Sequence, residues 1–193
     1  AHGIYADMLD AKIALGEDSK ITTKGDGSHG LHAARGVIET GDGLQLSAQG
    51  AGSHAAYADS ADAGIKFKGG AVISAADPDS YALYADNGGT IEGLAADSRF
   101  TITGNMLADN SGNIELDLAA NSLFVGRSGT ENSGTIDLTM AGSMWRVTGS
   151  SSLTNFTNNT SVVDMTKDGG AFSSLTTENL GGNGGYFVLD IDG

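Results

Sequence analysis

The sequence predicts an all-β chain wound as a right-handed parallel β-helix. Three observations carry this. A short motif, AHGIYAD at 1–7, returns as SHGLHA at 28–33, SHAAYAD at 53–59 and SYALYAD at 80–86. Counted from His2, His29, His54 and Tyr81, the copies lie 27, 25 and 27 residues apart. A second pattern runs in phase with the first, and no apolar stripe at helical spacing survives the glycines.

The second pattern supplies the strands. It reads AKIALGEDSKITTKG (11–25), GVIETGDGLQLSAQG (36–50), AGIKFKGGAVISAAD (63–77), GTIEGLAADSRFTITG (89–104), GNIELDLAANSLFVGR (112–127) and GTIDLTMAGSMWRVTG (134–149). Each copy is a short β-branched run, a turn of small residues and a second apolar run. The leading isoleucines are Ile13, Ile38, Ile65, Ile91, Ile114 and Ile136, at spacings of 25, 27, 26, 23 and 22. Propeller blades need about 40 residues, whereas about 25 suits one coil of three short strands. About seven coils fit, giving a rod of roughly 35 Å at the strand spacing.

In such a coil, like stacks on like. Ile4, Leu31, Ala56, Leu83 and Met106 form one inward column, and Ala6, Ala33, Ala58, Ala85 and Ala108 another, two residues along. Side chains alternate faces along a strand. Tyr5, His32, Tyr57 and Tyr84, which lie between the columns, are therefore expected to point outward as an aromatic ladder. A weaker fifth copy of the motif, GNMLAD, begins at Gly104.

Composition narrows the function. The 193 residues include 30 glycines and one proline, which favours many short elements joined by turns. The formal net charge is −14, and the 10 Lys and Arg are scattered singly. No basic patch can neutralise phosphates, so nucleic acid and anionic lipid are not expected as partners. No apolar run is long enough to span a bilayer as a helix, so direct membrane insertion is not expected. Cysteine is absent, which suits a chain exported unfolded through a narrow pore. The chain opens within a repeat and shows no signal peptide, so further coils are expected to precede it.

Residues 1–142 read as regular coils. The texture then changes over 143–193, where the single tryptophan, Trp145, stands with Phe156, Phe172 and Phe187. Short apolar runs alternate with polar turns, and GGNGG at 181–185 offers a sharp corner. Such an aromatic segment can fill the solenoid end and cover its last open edge. Its expected core is Trp145, Leu153, Phe156, Val163, Phe172, Leu175, Leu180, Phe187 and Leu189.

The pattern W-x-V-T-x-S-S-x-L-x-N from Trp145, an x-V-x-M segment, F-x-S-L-x-x-x-x-L from Phe172 and G-G-x-G-G-Y-F-x-L from Gly181 resembles the C-terminal part of pertactin-like passenger domains. Gram-negative autotransporters export these by type V secretion. The resemblance is specific over about residues 134–193 and architectural over 1–133. It implies a cell-surface or secreted location, a C-terminal translocator barrel in the full-length protein and an autochaperone role for 143–193. It also implies a role in virulence, as an adhesin or an autoaggregation and biofilm factor, with a host-cell or self surface as partner. No linker helix or barrel strand follows Gly193 in the sequence given.

Motifs for chemistry are weak. There is no G-x-S-x-G. His2, His29 and His54 share a column, but without H-E-x-x-H or C-x-x-C they read as stacked side chains at a corner, not as a metal ladder. Glu39 with Glu92, or Asp117 with Asp137, are the candidate carboxylate pairs for glycan cleavage. Among 24 acidic residues they read as solvated surface. GGNGGYFVL places Tyr186 where a calcium-binding nonapeptide needs aspartate. No catalytic residue, cofactor or metal is expected. The Tyr5, His32, Tyr57 and Tyr84 row is the candidate contact surface for sugar or protein.

Overall fold

A computed structural model describes residues 1–95, 97–166 and 172–190. Among these residues there is no helix. The strands form three parallel sheets, stacked as a β-solenoid of about 7 turns. The first sheet has six strands: Ile4–Ala6, Leu31–Ala33, Ala56–Ala58, Tyr81–Ala85, Asn105–Ala108 and Ser128–Thr130. The second has eight, from Lys12–Ala14 to Leu175–Gly181. The third also has eight, from Lys20–Thr23 to Tyr186–Val188.

The repeat in the sequence is the register of the sheets. Ile4, Leu31, Ala56, Leu83 and Met106 pair in succession, as do Ala6, Ala33, Ala58, Ala85 and Ala108. The six leading isoleucines form one column of the second sheet. From Ile38 to Ile136 that column is fully buried, whereas Ile13, in the first coil, is only partly buried. Alanines on the first sheet keep the tube narrow there, and Phe67, Phe100, Phe124 and Trp145 fill it from other sides.

The corners need special backbone. Asn87, Asn110 and Asn132 each adopt a positive φ after an acidic residue, a conformation asparagine tolerates. Their side-chain amides donate to carboxylates of the coil before: Asn87 to Asp59, Asn110 to Asp86 and Asn132 to Asp109, at 2.8 to 3.1 Å. Each corner is thereby tied to its neighbour.

Candidate functional site

The expected ladder is present, and a second ladder runs beside it. In the first column Tyr5, His32, Tyr57 and Tyr84 are in register. The rings of His32 and Tyr57 stack at 4.9 Å and 19°, and those of Tyr57 and Tyr84 at 5.0 Å and 13°. Tyr5 sits tilted on His32 at 4.9 Å. In the second column, His2 stacks on His29 at 5.0 Å and His29 on His54 at 4.9 Å, both within 7° of parallel. Tyr81 ends that column, tilted on His54 at 5.3 Å. Edge-to-face contacts such as His54 on Tyr84, at 4.9 Å and 77°, join the two columns.

Backbone hydrogen bonds set the histidine column. The N–H of His29 donates to Nδ1 of His2 at 3.2 Å, that of His54 to Nδ1 of His29 at 3.0 Å, and that of Tyr81 to Nδ1 of His54 at 3.0 Å. An acceptor Nδ1 places the proton of a neutral imidazole on Nε2. Burial, then the neighbouring imidazoles, lower the pKa of His29 to about 3. Burial, then His32, lower that of His54 to about 4. Burial and His2 also lower His32, although Asp59 opposes the shift. His32 is 8% exposed, so the outward row is covered at this ring by its neighbours. Its Nε2 lies 3.8 Å from Asp59 Oδ2, too far for a hydrogen bond.

Ligand atoms of His2, His29 and His32 lie within 4.8 Å of one another, a spacing that could hold a metal ion. The proton positions oppose it. Nε2 of His2 and His29 would have to lose its proton while Nδ1 still accepts an amide N–H, which requires an imidazolate. Nδ1 of His32, 3.5 Å from Nε2 of His2, fits as the acceptor for that Nε2–H.

The tyrosines carry a matching polar edge. Burial, then nearby carboxylates, push the phenols of Tyr57 and Tyr84 up, with Asp59 and Asp86 as their hydrogen-bond partners. Stacking leaves ring edges and hydroxyls on the surface and covers the faces. Along the row each ring lies against the next, so contact with a partner falls to ring edges and hydroxyls. Tyr5, at the first coil, is 46% exposed.

The structure does not bring the carboxylate pairs together. Glu39 and Glu92 are two coils apart, with Lys66 in register between them. Lys12 holds Glu39 at 3.0 Å and Lys66 holds Glu92 at 3.1 Å. Asp137 is in register with Glu115, not Asp117, and accepts a hydrogen bond from Asn155 at 2.6 Å.

The aromatic end divides in two. Trp145, Leu153, Phe156 and Val163 are buried, and Leu175 packs partly buried against them. The indole N–H of Trp145 donates to the carbonyl of Gly126 at 2.9 Å, and its ring stacks on Phe124 at 5.2 Å. The other four expected core residues, Phe172, Leu180, Phe187 and Leu189, are 56, 62, 44 and 58% exposed among the described residues. In the last turn, Phe187 stacks on Val163, and Leu180 on Phe156, of the coil before. No further described coil covers their other side. Residues 167–171 and 191–193 of the expected end segment lie outside the described residues.

No family model and no solved structure matches the chain. Two curated relatives match it over its whole length. The Probable autotransporter YcgV of Escherichia coli (strain K12) is 32% identical over 201 residues, and the chain spans 20% of that protein. A YcgV protein of Escherichia coli O157:H7 is also 32% identical, and the chain spans 36% of it. The chain is thus similar, from end to end, to part of a protein named as an autotransporter, and it is a β-solenoid, as passenger domains are.

Proposed function

We propose that the chain is part of a surface-exposed autotransporter passenger that acts by binding rather than catalysis, as an adhesin or autoaggregation factor. The supporting observation is similarity over the whole chain to an autotransporter, together with a solenoid of three parallel sheets among the described residues. In this reading the full-length protein carries a translocator barrel, and the rod is exported to the cell surface. No described helix is long and apolar enough to cross a membrane. Residues 143–193 act as the autochaperone segment, folding first outside the membrane and templating the coils before them. The buried set around Trp145 favours this, because a stable end leads folding in a one-dimensional array.

A second reading is a stiff stalk that displays an effector carried elsewhere in the protein. The ring spine, whose faces are spent on internal stacking, favours it. The test is display of the full-length protein on a non-adherent, non-aggregating bacterium. Clumping or attachment to epithelial cells, scored separately against the empty strain, supports the adhesin. Neither response, with display confirmed by antibody, supports the stalk.

A further inference from the structure

One coil near the C-terminal end is short, and this leaves a step, although the next, Asn155 to Asn179, again spans 24 residues. Asn113 to Thr135 spans 22 residues, whereas Asp137 to Asn155 spans 18. The shorter coil has no strand of its own on the first sheet, which ends at Ser128–Thr130 among the described residues. Serine hydroxyls take over the edge instead. The Ser128 N–H donates to Ser151 Oγ at 3.2 Å and the Thr130 N–H to Ser152 Oγ at 2.8 Å. The step is thus built and hydrogen-bonded, not frayed.

Above it lies a groove of about 320 Å³, at the low end of small-ligand sites. Gly129 lines it, and a Cβ there would stand 3.2 Å from Cδ1 of Leu107. Tyr81, the last ring of the histidine column, lines the groove together with Leu107. Ser174 and Thr176 add exposed hydroxyls. Arg127 and Glu131 flank the short strand at its two ends and also line the groove. One aromatic ring, short hydroxyls, a guanidinium and a carboxylate together offer donors and acceptors to a ligand with adjacent hydroxyl groups. The net charge of −14 works against polyanions.

We propose that this groove binds the terminal unit of a neutral glycan. The proposal rests on the reading of the chain as part of an adhesive passenger, and names the ligand class for it. The size suits a chain end, and of the two ring columns only Tyr81 reaches the site.

The test uses the purified chain on a glycan array of neutral and acidic structures, without cells. Retention of a subset of neutral glycans is expected. Gly129→Val, which adds bulk to the lining beside Leu107, should weaken it by about tenfold or more, equivalent to one lost hydrogen bond or ring contact. Arg127→Ala and Thr176→Ala alter exposed side chains, so they keep the test decisive if the valine variant misfolds. Each should weaken retention with an unchanged circular dichroism spectrum. No neutral glycan retained, acidic glycans only, or equal retention by all variants overturns the proposal. Whole-cell adhesion is scored separately, so either claim can fail while the other stands.

Discussion

Tyr81 donates its backbone N–H to Nδ1 of His54, 3.0 Å away and 27 residues earlier in the chain. This bond couples ring chemistry to strand pairing, because protonating Nδ1 removes the acceptor of a backbone amide. The same holds at His2 and His29.

Stability should therefore fall on mild acidification. In the unfolded chain the histidines titrate near 6.5, whereas in the fold His29 and His54 are lowered to about 3 and about 4. Below pH 6.5 the unfolded state binds more protons, so stability is full above that pH and is lost as pH falls toward 4. Unexposed carboxylate effects are avoided by comparing urea midpoints between pH 7.5 and 5, where acids of ordinary pKa stay ionised. His54→Phe should cost about 1–3 kcal/mol at pH 7.5, since the Tyr81 N–H loses its acceptor, and should flatten the slope. A wild-type midpoint that does not move over this range would refute the coupling.

Zinc should not stabilise the chain. His2, His29 and His32 are close enough, but two of them spend Nδ1 on amides. Thermal unfolding at pH 7.5 with equimolar zinc should match that with a chelator. A clear rise in Tm with zinc, abolished by His32→Ala, would show that the rings reorient to ligate.

Trp145 and Phe172 separate stability from secretion. Trp145 is fully buried and hydrogen-bonded, so Trp145→Ser should cost about 3–5 kcal/mol in the purified chain. Phe172 is more than half exposed, so Phe172→Ser should lower the urea midpoint less than Trp145→Ser. If residues 143–193 guide folding during export, both variants should reduce surface display. Normal display of Phe172→Ser would restrict any such role to the buried set.

The coil was legible in the sequence because stacking makes neighbours alike. The isoleucine and alanine columns are read directly from spacings of 22 to 27 residues. The ladder of Tyr5, His32, Tyr57 and Tyr84 was legible for the same reason. Its meaning was not, because spacing shows that rings share a column and not that their faces are covered. The amide bonds to Nδ1 depend on side-chain rotation, which no repeat encodes. Exposure at Leu180 and Phe187 was hidden because an apolar residue at the edge of the described coils looks the same in sequence as one within them. The groove at Gly129 follows from a coil of 18 residues, a change of period visible only once the strands are aligned.

The glycine before the leading isoleucine should be intolerant of any side chain. Gly89, Gly112 and Gly134 precede Thr90–Ile91, Asn113–Ile114 and Thr135–Ile136. A Cβ at Gly112 would collide with the backbone carbonyl of Ala85 in the coil before, and one at Gly134 with that of Ala108. Backbone cannot rotate away as a side-chain tip can, so the coils would have to separate locally. Gly112→Ala should cost about 1–3 kcal/mol, the usual range for overpacking. Gly16 provides the contrast: a Cβ there meets nothing within 4 Å. Gly16→Ala should be neutral or stabilise by about 0.4–1 kcal/mol, through the lost freedom of the unfolded chain. Urea midpoints of the two variants check this directly. Equal effects at both positions would mean that the coil spacing at the corner is loose, and that the G-x-I repeat reflects turn preference rather than contact between coils.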